Sequence, residues 1–259
     1  MNELRAIYTI WRREGIRYIR DKARIFSTLL QPLMFLVIFG AGLGGTLNQG
    51  NFGIDFMKFM YPGIIAMNVM GIAFFSTVST VWDREFGFLK EILVAPISRT
   101  SIVIGKILGA VTVASTQAWL LLVLAPFMGI SLHIFIVVKL FLFMVLLAFA
   151  ISGMGLFIAS RMKTTESFGI IMQVLIFPMF FLSGAFFPLT NVPLWMTILS
   201  RFNPLTYGVD AMRQIILNGL PAELAQKLFL YPIEINILAL SAFSVFMVLI
   251  ATLAFNKRN

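Results

Sequence analysis

The chain has 259 residues, of which 59% are hydrophobic and only 12% charged. Soluble domains are about one quarter charged, so this composition excludes an ordinary soluble domain and predicts one polytopic membrane domain, all-α, over 1–259. The net charge of +9 would suit nucleic acid, but the basic residues sort by membrane side and no nucleic-acid partner is expected; with no cysteine and one histidine, His133, no disulfide, thiol or metal chemistry is expected either.

Residues 1–24 carry Arg5, Arg12, Arg13, Arg17, Arg20, Lys22 and Arg24, with Leu4, Ile7, Tyr8, Trp11, Ile16 and Ile19 interleaved at a helical period. This predicts a basic amphipathic helix on an anionic membrane face, with Arg12, Arg13 and Arg17 among its interface cations. The long basic region and the span-length apolar segment after it argue against a cleaved signal peptide. A first span follows over about 25–43, expected to break at Gln31-Pro32; about 20 apolar residues cross the hydrocarbon core. Spans two to four are predicted over about 59–81, 101–127 and 134–160. A fifth begins near Phe168 and meets Pro178, and a sixth covers about 233–255. Between these two, 183–218 is too polar and proline-rich for another crossing. Irregular backbone at membrane depth is tolerated only inside protein or along a cavity, so short re-entrant helices on the outer side are predicted.

Six spans put both ends of the chain on one side. Fifteen of the twenty lysines and arginines fall in 1–24, in the island 82–106, after the fourth span and in the tail. Basic residues mark the cytoplasmic side, so both termini and the island are expected there.

The island reads WDREFGFLKEILVAPISRTSIVIGK. Phe86, Leu89 and Leu93, with Phe88 and Ile92 beside them, predict a short interfacial helix ending before Pro96, because proline pushes its predecessor out of the α region. On spacing alone it is equally a plain connector. Glu85 through Leu93, Pro96, Ser98-Arg99 and Gly105-Lys106 resemble the cytoplasmic loop of ATP-binding-cassette exporter permeases of the second type, roughly G-x-L-E-x-L-x-x-x-P-x-S-R followed by G-K. Lys90, between Leu89 and Glu91, departs by one residue from the tightest form. The resemblance implies a bacterial or archaeal cytoplasmic-membrane permease whose coupling helix, within 82–100, docks into a separate ATPase subunit. Asp83, Arg84, Glu85, Phe88, Leu89, Glu91, Pro96 and Arg99 would carry that coupling, and the interface helix would also touch the ATPase. ATP and magnesium would be bound by the partner, with no cofactor in this chain.

A second run, Ser183-Gly184-Ala185-Phe186-Phe187-Pro188 and Asn203-Pro204-Leu205-Thr206-Tyr207-Gly208-Val209-Asp210-Ala211-Met212-Arg213, resembles the outer region of the drug- and lipo-oligosaccharide-exporting branch. It implies an outer gate of Gly184, Pro188, Asn203, Pro204, Tyr207, Asp210 and Arg213, or a structural plug. Asp210 and Arg213, three apart on a helix, are expected to pair.

Other chemistry is sparse. No G-x-x-x-x-G-K-[ST] phosphate loop occurs. Ionisable residues inside spans are costly and kept for use, and no relay of them is evident. Asp83 with Glu85 is the only carboxylate pair spaced for a lipid-acting enzyme. Energy is therefore expected from a partner, and the resemblance implies two copies of this chain with two ATPase subunits exporting an amphiphile (drug, lipid or lipid-linked glycan). The alternative is a stand-alone ion-coupled transporter or channel, which calls for buried ionisable groups or inverted repeats.

Overall fold

A computed structural model describes residues 3–47, 56–128, 130 and 133–256, and all regular elements among them are helical. α1 (Glu3–Arg20) and α2 (Lys22–Leu47) are separated by Asp21, whose carboxylate accepts the backbone N–H of Arg24 at 3.0 Å and caps α2. α3 (Phe56–Ser76) continues past Thr77 into α4 (Val78–Glu85). There follow α5 (Phe88–Val94), α6 (Arg99–Leu124), α7 (Ile134–Arg161), α8 (Thr165–Phe181), α9 (Leu194–Phe202), α10 (Pro204–Ile216), α11 (Ala222–Leu228) and α12 (Ile233–Asn256). Among the described residues, four stretches are long and apolar enough to cross a membrane: Phe56–Glu85, Arg99–Leu124, Ile134–Arg161 and Ala222–Asn256. α8 is apolar but has only 17 residues.

The core is α3, α6 and α7 packed on one another, with α12 along α7 and α1 along α6. Ile65, Val69 and Phe74 of α3, Ile107 and Ala114 of α6, and Leu147 and Ile151 of α7 are wholly enclosed. Small residues set these approaches: a Cβ on Gly155 would lie 2.7 Å from Thr77 Oγ1, and one on Gly153 would lie 2.9 Å from Met247 Cβ. Between membrane helices, close packing replaces the hydrophobic drive that lipid removes.

α9 and α10 have 9 and 13 residues. At 1.5 Å per residue they are about 14 and 20 Å long, short of a hydrocarbon core of about 30 Å. α10 is enclosed by α3, α7 and α12, which meets the condition for helix ends inside a bundle.

Two expectations give way. α2 is not broken at Gln31-Pro32 but runs through Pro32, since an internal proline removes one hydrogen bond and bends a helix without having to end it. The island is not a single interfacial element: α4 carries the second span's helix as far as Glu85, and α5 starts only after Gly87, at φ +84°. That left-handed backbone is cheap for glycine and strained for side-chain-bearing residues. α1 is amphipathic as expected, but its stripe of Ala6, Ile10, Glu14 and Tyr18 is buried against α6, while Leu4, Tyr8, Ile16 and Ile19 remain exposed. The basic tail, 257–259, lies outside the described residues.

Candidate functional site

The end of the bundle that gathers α1, α4, α5 and the start of α6 holds a buried ionic cluster. Lys106 Nζ lies 2.5 Å from Asp83 Oδ2, 3.1 Å from Glu14 Oε1 and 3.2 Å from Ser79 Oγ. Arg13 donates to the other Asp83 oxygen, and Arg17 Nη2 stands 4.0 Å from it while its guanidinium lies over the Trp82 ring. Three helices are thereby tied by charge, in a setting where an unpaired ion would cost several kcal/mol. Gly105 and Gly109 of α6 allow the approach: a Cβ on Gly109 would fall 2.6 Å from Glu14 Cβ. Trp11 Nε1 donates to Thr112 Oγ1 at 2.8 Å, and Gln117 Nε2 donates to the Tyr18 hydroxyl at 2.5 Å, extending the α1–α6 seam.

Around the cluster, charged side chains close helix ends, where backbone groups lack intrahelical partners. Arg84 donates to the carbonyls of Ala159 (3.2 Å), Ser160 (2.8 Å) and Met162 at the end of α7. Glu85 accepts from the Thr165 N–H (3.2 Å) and hydroxyl (2.6 Å) at the start of α8. Glu3 accepts from the Ser98 N–H and hydroxyl and, at 2.6 Å, from the Ser101 hydroxyl at the start of α6. These donors, Ser101 foremost, hold the Glu3 carboxyl below the usual carboxylate range.

α5 sits on this base. Leu89 is buried, Ile92 and Leu93 are half-buried, and Arg99 Nη1 donates to the Leu93 carbonyl at 3.0 Å. Ala95 is extended, as the residue before Pro96 must be, and ends the helix. What remains outward is Phe86 at 72% exposure, Phe88 at 55%, Val94 at 85%, and Glu91 and Pro96. An apolar surface with one acid is thus offered on a seven-residue helix.

At the other end of α3, Arg213 is buried with its guanidinium 4.0 Å from the Phe59 ring centroid and Nη2 donating to the Gly184 carbonyl at 2.6 Å. Asp210 does not pair with it. Its carboxylate instead accepts from the backbone N–H of Leu230 (2.9 Å) and Tyr231 (3.2 Å), and from Gln214 and Asn236 (2.9 Å each), so backbone donors took the place the sequence reserved for Arg213. Asn203 caps α10 through Leu205 N and donates to the Met179 carbonyl, with Pro204 at the first helical position. Tyr207 stacks on Tyr231 and donates to the Arg201 carbonyl. Gly184 has φ +78°, and Pro188 opens a short 3-10 turn.

Between α2, α3–α4 and α8 runs a groove of about 480 Å³. Arg24, Trp82 and Thr165 line its end nearest the ionic cluster; Phe35, Ile64 and Ile176 line the far end.

The model of the family described as ABC-2 type transporter matches residues 5–217, well over half of the sequence. The chain belongs to the ABC-2 type transporter family. Among its relatives, the putative transport permease ycf38 of Cyanophora paradoxa is 31% identical over 214 residues, 81% of this chain and 73% of the relative. The probable multidrug ABC transporter permease YbhR of Escherichia coli K12 is 33% identical over 177 residues, 66% of this chain but only 46% of the relative, so the match spans about half of that protein. Nodulation protein J of Rhizobium leguminosarum bv. viciae is 26% identical over 211 residues, 80% of this chain and 81% of the relative. The chain is thus a multi-pass membrane permease and a transport subunit.

In this ABC-2 permease, Phe88, Glu91 and Pro96 are exposed, Arg99 braces α5, and Arg12 is exposed on α1. Asp83 is 1% exposed and lies inside the bundle, paired with the half-exposed Arg13, while Arg84 and Glu85 close the ends of neighbouring helices. Two members of the cluster were not expected as site residues: Glu14, and Lys106, which entered only with Gly105 as the end of the cytoplasmic-loop pattern. Glu14 falls on the stripe of Ala6, Ile10 and Tyr18, and a carboxylate on the apolar stripe of an amphipathic helix was the available signal. Lys106 stands among apolar residues between Gly105 and Gly109, which marks a cation with a waiting partner.

Proposed function

We propose that this chain is the membrane half of an ATP-driven exporter for an amphiphilic substrate, powered by a separate ATPase that docks on α5. The single observation carrying this reading is the outward face of α5, with Phe88, Glu91 and Pro96 exposed above a base of buried charge. A plain connector needs no exposed apolar face. Large exposed apolar surface on a polar rim marks an interaction site. The six crossings are α2, α3–α4, α6, α7, α8 and α12, with both termini and α5 cytoplasmic and α9–α10 re-entering from the outside as a gate or plug. Displacement of α5 by the ATPase reaches α1, α4 and α6 together, because Asp83 and Lys106 bind them into one block. Two copies of the chain serve two ATPase subunits. The multidrug naming of the YbhR relative suits export of a drug. The likeness of the outer region to lipo-oligosaccharide exporters suits a lipid-linked glycan.

Purification of the tagged chain from its native membranes in mild detergent, followed by an ATPase assay, tests the reading. A stoichiometric ATPase that is lost on Glu91→Arg, with the permease still in the membrane, is the expected result. A clean ATPase-free oligomer would return the case to a stand-alone transporter and α5 to a connector.

A further inference from the structure

We infer that the groove between α2, α3–α4 and α8 binds an anionic bilayer amphiphile, its acidic head on Arg24 and its hydrocarbon running toward Phe35, Ile64 and Ile176. Among the described residues seventeen line the groove, Arg24 is the only ionisable one of them, and no carboxylate faces the space. Among the described residues the Arg24 guanidinium makes no hydrogen bond or ion pair, and the nearby Asp21 carboxylate is engaged with the Arg24 backbone N–H. A half-buried cation whose neighbouring acids, Asp21 and Glu14, both lie outside the groove lining, at the mouth of an apolar channel, attracts an anion and repels a cationic amphiphile.

Dimensions point the same way. From Arg24 to Phe35 on α2, and from Thr165 to Ile176 on α8, the lining advances eleven residues. At 1.5 Å per residue that is about 16 Å, and along α3–α4 the lining runs eighteen residues from Ile64 to Trp82, about 27 Å, so the groove reaches at least the depth of one leaflet of a hydrocarbon core of about 30 Å. The volume of about 480 Å³ falls in the ordinary range for small-molecule sites. The walls are also kept bare: Gly71 of α3 and Gly169 of α8 both line the groove, and a Cβ on either would meet nothing within 4 Å. Glycine inside a helix is less stable than alanine, and these two positions have room for a side chain yet carry none.

The inference deepens the exporter reading by naming a substrate class. It rests on that reading only for the leaflet concerned, since binding itself needs no ATPase. Trp82, at the basic end, supplies the probe. The full chain with Trp11, Trp119 and Trp195 replaced by phenylalanine is placed in phosphatidylcholine nanodiscs, and quenching of Trp82 is followed as brominated phosphatidic acid or brominated phosphatidylcholine is added. Phosphatidic acid is expected to quench at an approximately tenfold lower mole fraction, the order that one charge-assisted hydrogen bond provides. Arg24→Gln removes the preference and leaves residual quenching by phosphatidylcholine; Arg24→Lys keeps most of it. Gly169→Leu or Gly71→Leu fills the groove, abolishing saturable quenching without lowering thermal stability.

Equal quenching by the two lipids, tighter binding of a brominated cationic amphiphile, or an unchanged preference in Arg24→Gln overturns the inference. So does a Trp82 shielded from every lipid because a second copy of the chain covers the groove. Lipid-indifferent quenching alongside a co-purifying ATPase defeats this inference alone. Acid-selective binding in a chain that recruits no ATPase defeats the exporter reading alone.

Discussion

Lys106 Nζ bridges Asp83 of α4 and Glu14 of α1, and all three side chains are less than a tenth exposed. Replacing Lys106 by methionine takes from Glu14 its ion-pair partner and leaves Asp83 with Arg13 and, at 4.0 Å, Arg17. Removing one partner of a buried pair costs about 3–5 kcal/mol. Thermal unfolding in detergent, compared between the native chain, Lys106→Met and Asp83→Asn, checks this. A loss under about 1 kcal/mol in both would mean that the cluster behaves like a solvated surface pair.

Glu3 gives the α1 seam a pH dependence. Hydrogen bonds to its carboxylate hold its pKa below the ordinary 4.5, so the tether contributes fully above that value and is lost as pH falls through the lower folded value. Amide hydrogen exchange in the first turns of α1, corrected for intrinsic rates, is expected to quicken on acidification below the ordinary 4.5 in the native chain. Glu3→Gln is expected to exchange quickly at every pH.

Asp210 is a second buried charge, satisfied by four N–H donors from three different segments. An asparagine in its place would turn part of that acceptor into a donor aimed at donors. Asp210→Asn is therefore expected to cost about 3 kcal/mol or more, read as a lowered melting temperature and faster proteolysis of the α11–α12 connection.

Gly109→Leu tests the α1–α6 contact by volume instead of charge. The space behind Gly109 is already filled by Glu14 Cβ and Cγ at 2.6 and 2.9 Å. Overpacking at such a contact costs about 1–3 kcal/mol, and α1 is the element able to move. Faster tryptic cleavage at Arg12 and Arg17 is the expected sign.

Sequence patterning revealed the long helices because apolar runs of span length have few alternatives: α6 and α7 begin within two residues of their expected starts. Pro32 misled because a proline inside a membrane helix can be absorbed as a bend. The charged island was legible as a surface feature, and the stop at Pro96 followed from local sterics. Its interior was not. Whether Asp83 faces solvent or Lys106 depends on how α4 and α6 rotate against each other, and no local pattern encodes that. The same holds for Asp210, whose partners Leu230 and Tyr231 lie 20 and 21 residues further on and donate only backbone N–H, which has no sequence signature.

The bonds from Glu3 to Ser98 and Ser101 join points 95 and 98 residues apart in the chain. At synthesis rates of about 5–20 residues per second, the helix that receives α1 therefore emerges roughly 5–20 seconds after α1 itself. Throughout that interval the first helix has no protein surface to occupy. Its arginines and its exposed Leu4, Tyr8, Ile16 and Ile19 suit it to wait on the anionic lipid surface until α6 arrives, so the bilayer acts as a temporary holder for the nascent chain.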